Sequence, residues 1–238
     1  EIAGFDALEI IGEHIEIRSN DSLQNLEGLE GITEISGELD LDSNAALGDL
    51  TALSGLEWIG GDLTVSSHEL LETLDGFENL HTVEGSISIN SNDALLELDG
   101  LRNLEWVAED IEIRSNDVLA RIDALANLDV VYGDLEIARN FRLVDLGGLE
   151  GITEVHGTLV LEYNTDVVDL EGLENLRSVL GHLDLSYHSN LESLQGLENL
   201  TELGGTLFIE QNSGLVDLTG LEGLEHVPEN IYIRYNTN

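Results

Sequence analysis

The residues best placed to do chemistry in this chain are paired carboxylates. Glu112 and Glu136 stand 24 residues apart in similar settings, Asp-Ile-Glu-Ile-Arg and Asp-Leu-Glu-Ile-Ala. Two carboxyl groups flanking a sugar suffice for glycoside hydrolysis, one as proton donor and one as base or nucleophile. That chemistry needs a cleft, and the flanking sequence predicts an open, regular sheet surface, so no catalytic residue is assigned. Arg114, two residues from Glu112, reads as its surface ion-pair partner, an interaction worth little. His68 and His188 suggest metal ligation, yet they lie five repeats apart, roughly 24 Å at the spacing of neighbouring strands. They read instead as structural substitutes within a column of Asn. The chain has no Cys, which removes thiolate nucleophiles, disulfides and thiolate metal sites. It carries neither the EF-hand loop spacing nor a Gly-Gly-x-Gly-x-Asp repeat. The expectation is a non-enzymatic protein without a cofactor.

What must position these residues is a repeat. From Leu194 the chain reads Leu194, Gly196, Leu197, Asn199, Leu200, Leu203, Gly205, Leu207, Ile209, Asn212, Leu215, and the pattern recurs every 24 residues. Its copies begin at Ile2, Leu26, Leu50, Leu74, Leu98, Ile122, Leu146, Leu170, Leu194 and Leu218, without insertion or deletion. Nine repeats are full and one stops at Asn238. A fixed period of this length marks a solenoid. The pair Leu207/Ile209, repeated from Ile15/Ile17 to Ile231/Ile233, alternates with period two and is rich in β-branched residues, as a short strand is. Ten such strands stacked about 4.8 Å apart make a parallel sheet in a body roughly 50 Å long. The remaining leucines are spaced by three and punctuated by Gly, Ala and Asn, which predicts short strands and tight corners rather than helices. The fold class expected is therefore all-β: a right-handed parallel β-solenoid of ten repeats, one elongated domain over 1–238 with no recognisable caps.

One polar column runs Asn20, Asn44, Asn92, Asn116, Asn140, Asn164, Asn212 and Asn236, with His68 and His188 in the two gaps. An inward amide at a corner can satisfy backbone groups of its own and the adjacent coil, so this column is expected to be a structural ladder. Asn20 and Asn199 also match the Asn-x-Ser/Thr acceptor pattern, with Asn20 expected to be buried in the ladder.

The string Gly-Leu-Glu-Asn-Leu, then a strand of Leu-x-Ile type, then Asn-x-x-Leu resembles the repeats of receptor L domains, a leucine-rich-repeat solenoid of receptors and microbial surface proteins. The resemblance covers Ile2 to Asn238 and implies a non-catalytic role in binding or assembly outside the cell. Receptor L domains carry cysteine-bearing caps and vary in repeat length; this chain does neither.

Charge narrows the partners. Against 49 acidic residues stand eight Arg and no Lys, for a net charge of −41. Such a surface repels nucleic acid and anionic lipid, and the carboxylate rows Asp75/Asp99/Asp123 and Glu150/Glu174/Glu198/Glu222 repel themselves. Diffuse cations are expected to gather there, and two origins fit: adaptation to high salt, or a surface protein from a GC-rich genome. No apolar run approaches the roughly eighteen residues of a membrane span. Exposed aromatic residues on so acidic a surface, with Val160 beside them, are the candidate contact surface: Phe208 and Tyr232 with Val160 in one outward row, Tyr163, Tyr187 and Tyr235 in the column just before the Asn ladder, and Trp58 and Trp106 on a different face. The first and last strands, Ile15/Ile17 and Ile231/Ile233, keep the internal pattern and leave strand edges open. Either the chain continues in a longer parent or copies stack head to tail. The function expected is an extracellular or cell-surface structural or adhesive solenoid acting through protein–protein contacts, with itself or another surface protein. The alternative is a ligand-binding ectodomain fragment that uses the sheet face.

Overall fold

A computed structural model of the chain describes all residues except Glu1, Ala3, Asp6 and Asn238. It is a parallel β-solenoid, and each repeat is one coil. Ten four-residue strands, from Ile15–Arg18 to Ile231–Arg234, form a single parallel sheet whose spatial order follows the chain. The register is 24 residues throughout: Ile111 pairs with Leu135 and Ile113 with Ile137. Alternation does the sorting, because in a strand successive side chains take opposite faces. Leu, Ile or Val at the first and third positions points inward, and the second and fourth positions face out.

A second side of the first nine coils carries a two-residue strand, Ile10–Ile11, Glu34–Ile35, Trp58–Ile59 and their successors. These form two smaller parallel sheets of five and four strands, interrupted between Trp106–Val107 and Val130–Val131. The leucines spaced by three close the coil through tight turns. Leu29 N–H bonds to Leu26 C=O at 3.2 Å and Leu197 N–H to Leu194 C=O at 3.2 Å. Gly at the third position of the repeat takes a positive φ in seven coils, for example Gly76 at 124° and Gly196 at 111°. Ala52 and Ala124 have a Cβ that disfavours this region. Their coils instead turn through 3-10 segments, Thr51–Leu53 and Asp123–Leu125, as does the coil of Gly100 over Asp99–Leu101.

The core is one continuous apolar column. From Leu26 to Leu215 the inward positions of every coil are buried, and Phe77 is the largest side chain among them. No coil could enclose its own leucines; each is sealed by the coils on either side, and this is where the fold's cohesion lies. At the first coil Ile15 and Ile17 are only half-buried, and at the last Ile231 and Ile233 are about half exposed. These two strands are the edges of the sheet.

The Asn column is the ladder expected of it, from Asn44 to Asn212. Asn92 N–H donates to Asn116 Oδ1 at 3.0 Å, and Asn116 Nδ2 donates to Ile89 C=O in the preceding coil at 2.9 Å. Asn140, Asn164 and Asn236 repeat the second bond to Ile113, Ile137 and Ile209. His68 stands in for an Asn, its Nε2 lying 3.2 Å from Leu41 C=O. His188 is a poorer substitute, since its buried Nδ1 has no partner. Asn20 corrects an expectation: it is exposed, because no coil precedes it, and its Nδ2 turns to Arg18 C=O and Asn44 Oδ1.

The left-handed backbone also sits elsewhere than the sequence suggests. Ten non-Gly residues, one per coil, have φ between 54° and 65°, and they are the residues just before the Asn column: five Ser, Arg139, Tyr163, Tyr187, Gln211 and Tyr235. Each such residue costs of order 1–3 kcal/mol. The neighbouring bonds hold it there. Ser115 N–H still reaches Ala138 C=O in the next coil at 3.0 Å while the following Asn is turned inward.

Candidate functional site

The broad sheet displays the candidate aromatic residues on a rigid lattice, so their positions are set by register rather than by loops. Tyr163 and Tyr187, one coil apart, stack with ring centroids 4.2 Å apart and planes 7° from parallel. Arg139 lies over the free face of Tyr163, 4.4 Å from its centroid. Phe208 and Tyr232 form a second pair at 5.3 Å, and Arg234 sits 4.0 Å from the centre of the Tyr232 ring. Tyr235 is exposed and Gln211 separates it from Tyr187. Val160 belongs to the same outward row as Phe208 but pairs with Asp184, which stands between them.

Between the aromatic pairs lies a row of carboxylates that the sheet holds partly out of water. Burial pushes the Glu162 carboxyl up to about 7, with help from the adjacent Asp184. Burial raises Asp184 as well, although the hydroxyl of Ser186 donates to it and works the other way. Burial also raises Glu136, against the pull of Arg114. Arg114 bridges the two carboxylates considered for acid–base chemistry, at 2.6 Å from Glu112 and 3.2 Å from Glu136. Its ion pair with Glu112 is the one expected, and it joins both groups in a single surface network.

Trp58 and Trp106 lie on the side of the short strands, in one column two coils apart. Trp106 has company the sequence reading missed. Tyr132 packs on it at 4.6 Å, and His156 meets Tyr132 edge-on at 5.3 Å. The signal was weak because Trp106 and Tyr132 occupy different positions of the repeat and meet only across neighbouring coils.

Two outward rows turn out to be structural. In the row just before the four-residue strands, Ser86 N–H donates to Asp62 Oδ1 at 2.8 Å, Asp134 N–H to Asp110 Oδ1 at 2.7 Å, and Thr206 N–H to His182 Nδ1 at 2.8 Å. Its short acceptor side chains satisfy the amide of the same position one coil on. The glutamates expected to repel one another also cap their own turns. Glu150, Glu174, Glu198 and Glu222 accept the N–H of Gly148, Gly172, Gly196 and Gly220 at 2.6–2.9 Å. Among the described residues no group of three or more His, Asp or Glu is arranged to hold a metal ion.

The two ends of the stack expose different groups. Inward strand residues direct their N–H groups toward the following coil, as Ile15 does to Glu38 C=O at 2.9 Å. Ile231 and Ile233 have no such coil. At the other end, Ile2, Phe5, Leu8, Ile11, Ile15 and Ile17 line an open apolar hollow of about 320 Å³. Arg114 reaches Glu136, and Arg18 reaches Asp40, each an acid in the following coil. Arg234 occupies the same position in the last coil, where it lies 3.9 Å from Glu210 of the coil before.

No protein-family model, curated protein or solved structure matches the chain. Among the described residues no helix is long and apolar enough to cross a membrane.

Proposed function

We propose that the chain is a non-enzymatic structural solenoid that acts through protein–protein contacts and extends itself by adding copies end to end. The complementarity of the two ends carries this reading. A second copy in phase would pair the free edge of Ile231–Arg234 with that of Ile15–Arg18. It would set Asn236 N–H opposite Asn20 Oδ1 and Arg234 opposite Glu16, and cover apolar surface on both sides. A head-to-tail contact of this kind propagates without closing. The receptor L-domain-like repeat pattern supports a place outside the cell or on its surface.

At net charge −41, copies repel one another, so the test belongs in about 1 M sodium chloride, where the screening length falls to about 3 Å. Sedimentation and electron microscopy should show rods that lengthen with protein concentration. Ile231→Lys with Ile233→Lys should leave the circular dichroism spectrum intact and return the chain to a monomer. A wild-type chain that stays monomeric at every concentration under these conditions refutes the proposal. A second reading, a ligand-binding ectodomain fragment using the sheet face, is favoured by the paired aromatic rings Tyr163/Tyr187 and Phe208/Tyr232.

A further inference from the structure

One exposed surface belongs neither to the sheet face nor to the ends. The position two residues before each repeat's first leucine forms its own column, tied coil to coil by backbone bonds: Ala120 N–H to Leu96 C=O at 3.0 Å and Val144 N–H to Ala120 C=O at 3.4 Å. Four successive members are apolar: Leu96, Ala120, Val144 and Val168. Leu96, Val144 and Val168 are 47%, 48% and 46% exposed. A row of aliphatic side chains left in water over four coils is unusual on a chain that otherwise covers itself in carboxylates. The row opens into a groove of about 430 Å³ lined by Val168, Ser189, Asn190, Glu192, Gly214 and Val216.

We infer that this stripe is a docking site for an amphipathic helix with basic flanks, carried by a cationic protein partner. Three observations fix the occupant. First, an added β-strand does not suit the stripe: bonds between coils already engage the amides of Leu96, Ala120 and Val144, so contact runs through side chains. Second, the stripe repeats about every 4.8 Å. A helix presents a residue to one face every turn of about 5.4 Å, whereas alternate residues of a strand are roughly 6.7 Å apart. Third, acids border the stripe, with Asp93 and Asp117 on one side and Glu97, Asp145 and Asp169 on the other. The nearby Arg121 and Arg142 are engaged by Asp123 and Asp166. A second copy, itself carrying −41, is thereby disfavoured, and a partner with Lys or Arg beside its apolar face is favoured.

The probe is a labelled helical peptide of about fourteen residues, some four turns, with Leu on one face and Lys elsewhere. Its control is an isomer of identical composition with the Leu scattered around the helix. Fluorescence anisotropy at about 0.15 M salt, a screening length of about 8 Å, should show the amphipathic peptide binding about tenfold tighter than the isomer. Val144→Ser with Val168→Ser changes no charge and no buried residue, and should erase most of that preference while the isomer's weak binding persists. Equal binding of the two peptides, meaning attraction by charge alone, overturns the proposal. So does a preference that survives both substitutions, or self-association of the wild type that these substitutions dissolve. The end variants Ile231→Lys and Ile233→Lys are expected to leave the peptide preference unchanged, which keeps this result separate from end-to-end assembly.

Discussion

Replacing Asn140 by alanine tests the ladder at its centre. Asn140 is fully buried, its Nδ2 donates to Ile113 C=O at 2.9 Å, and its Oδ1 accepts Asn116 N–H at 3.1 Å. Alanine removes both partners and leaves two buried backbone groups without water. An orphaned buried group costs about 1–3 kcal/mol, so the loss from two should be about 2–6 kcal/mol. The amide of residue 140 keeps its own bond to Asn164 Oδ1 at 3.1 Å, and the damage is confined to the junction with the preceding coil. Asn20→Ala is the internal control: Asn20 is exposed, its bonds are replaceable by water, and the cost should stay below about 1 kcal/mol. Urea unfolding followed by circular dichroism measures the difference, and amide exchange at Asn116 locates it. Because solenoid stability is a sum of nearest-neighbour junctions, the curve of the Asn140 variant should broaden or split as the two halves uncouple. A cost below about 1 kcal/mol, or an Asn116 amide as protected as in the wild type, would refute the assignment of the ladder as a structural necessity.

Two further predictions concern pH. Burial holds the His188 imidazole down to about 4 in the folded chain, against an ordinary value of 6.5, so the fold favours neutral His188. Its contribution is intact above 6.5 and is lost as pH falls toward 4, by about 3 kcal/mol; His188→Asn should flatten that acid limb of the stability curve. Glu162 runs the other way: with its carboxyl pushed up to about 7 from 4.5, the fold favours the protonated form, and stability falls as pH rises from 4.5 through 7. Glu162→Gln should therefore stabilise the chain at pH 8, by about 1–2 kcal/mol once solvent screening of a partly exposed group is allowed for, and leave it unchanged at pH 4. Thermal melts across pH check both.

The coil, its register and its apolar wall were legible because they depend on residue type at a fixed phase. Leu at 194, 197 and 200 means the same thing as Leu at 170, 173 and 176. What could not be read was anything decided by the relation between coils. The Glu row at 150, 174, 198 and 222 looks like accumulated repulsion when only charges are counted. It becomes a set of local caps once each carboxylate is seen on the Gly N–H two residues earlier. Asp62, Asp110 and Asp134 look like surface acids until their oxygens are found on the next coil's amides. The left-handed residues were invisible for a related reason: the conformation is imposed by the strand before and the Asn after, so Ser115 and Tyr187 adopt it although neither is a residue that favours it. The apolar stripe at Leu96, Ala120, Val144 and Val168 was hidden differently. An aliphatic residue there carries no signal until the stack shows that nothing covers it. In a solenoid the interior is a property of the repeat, whereas the surface that meets a partner belongs to the few columns where one coil departs from the next.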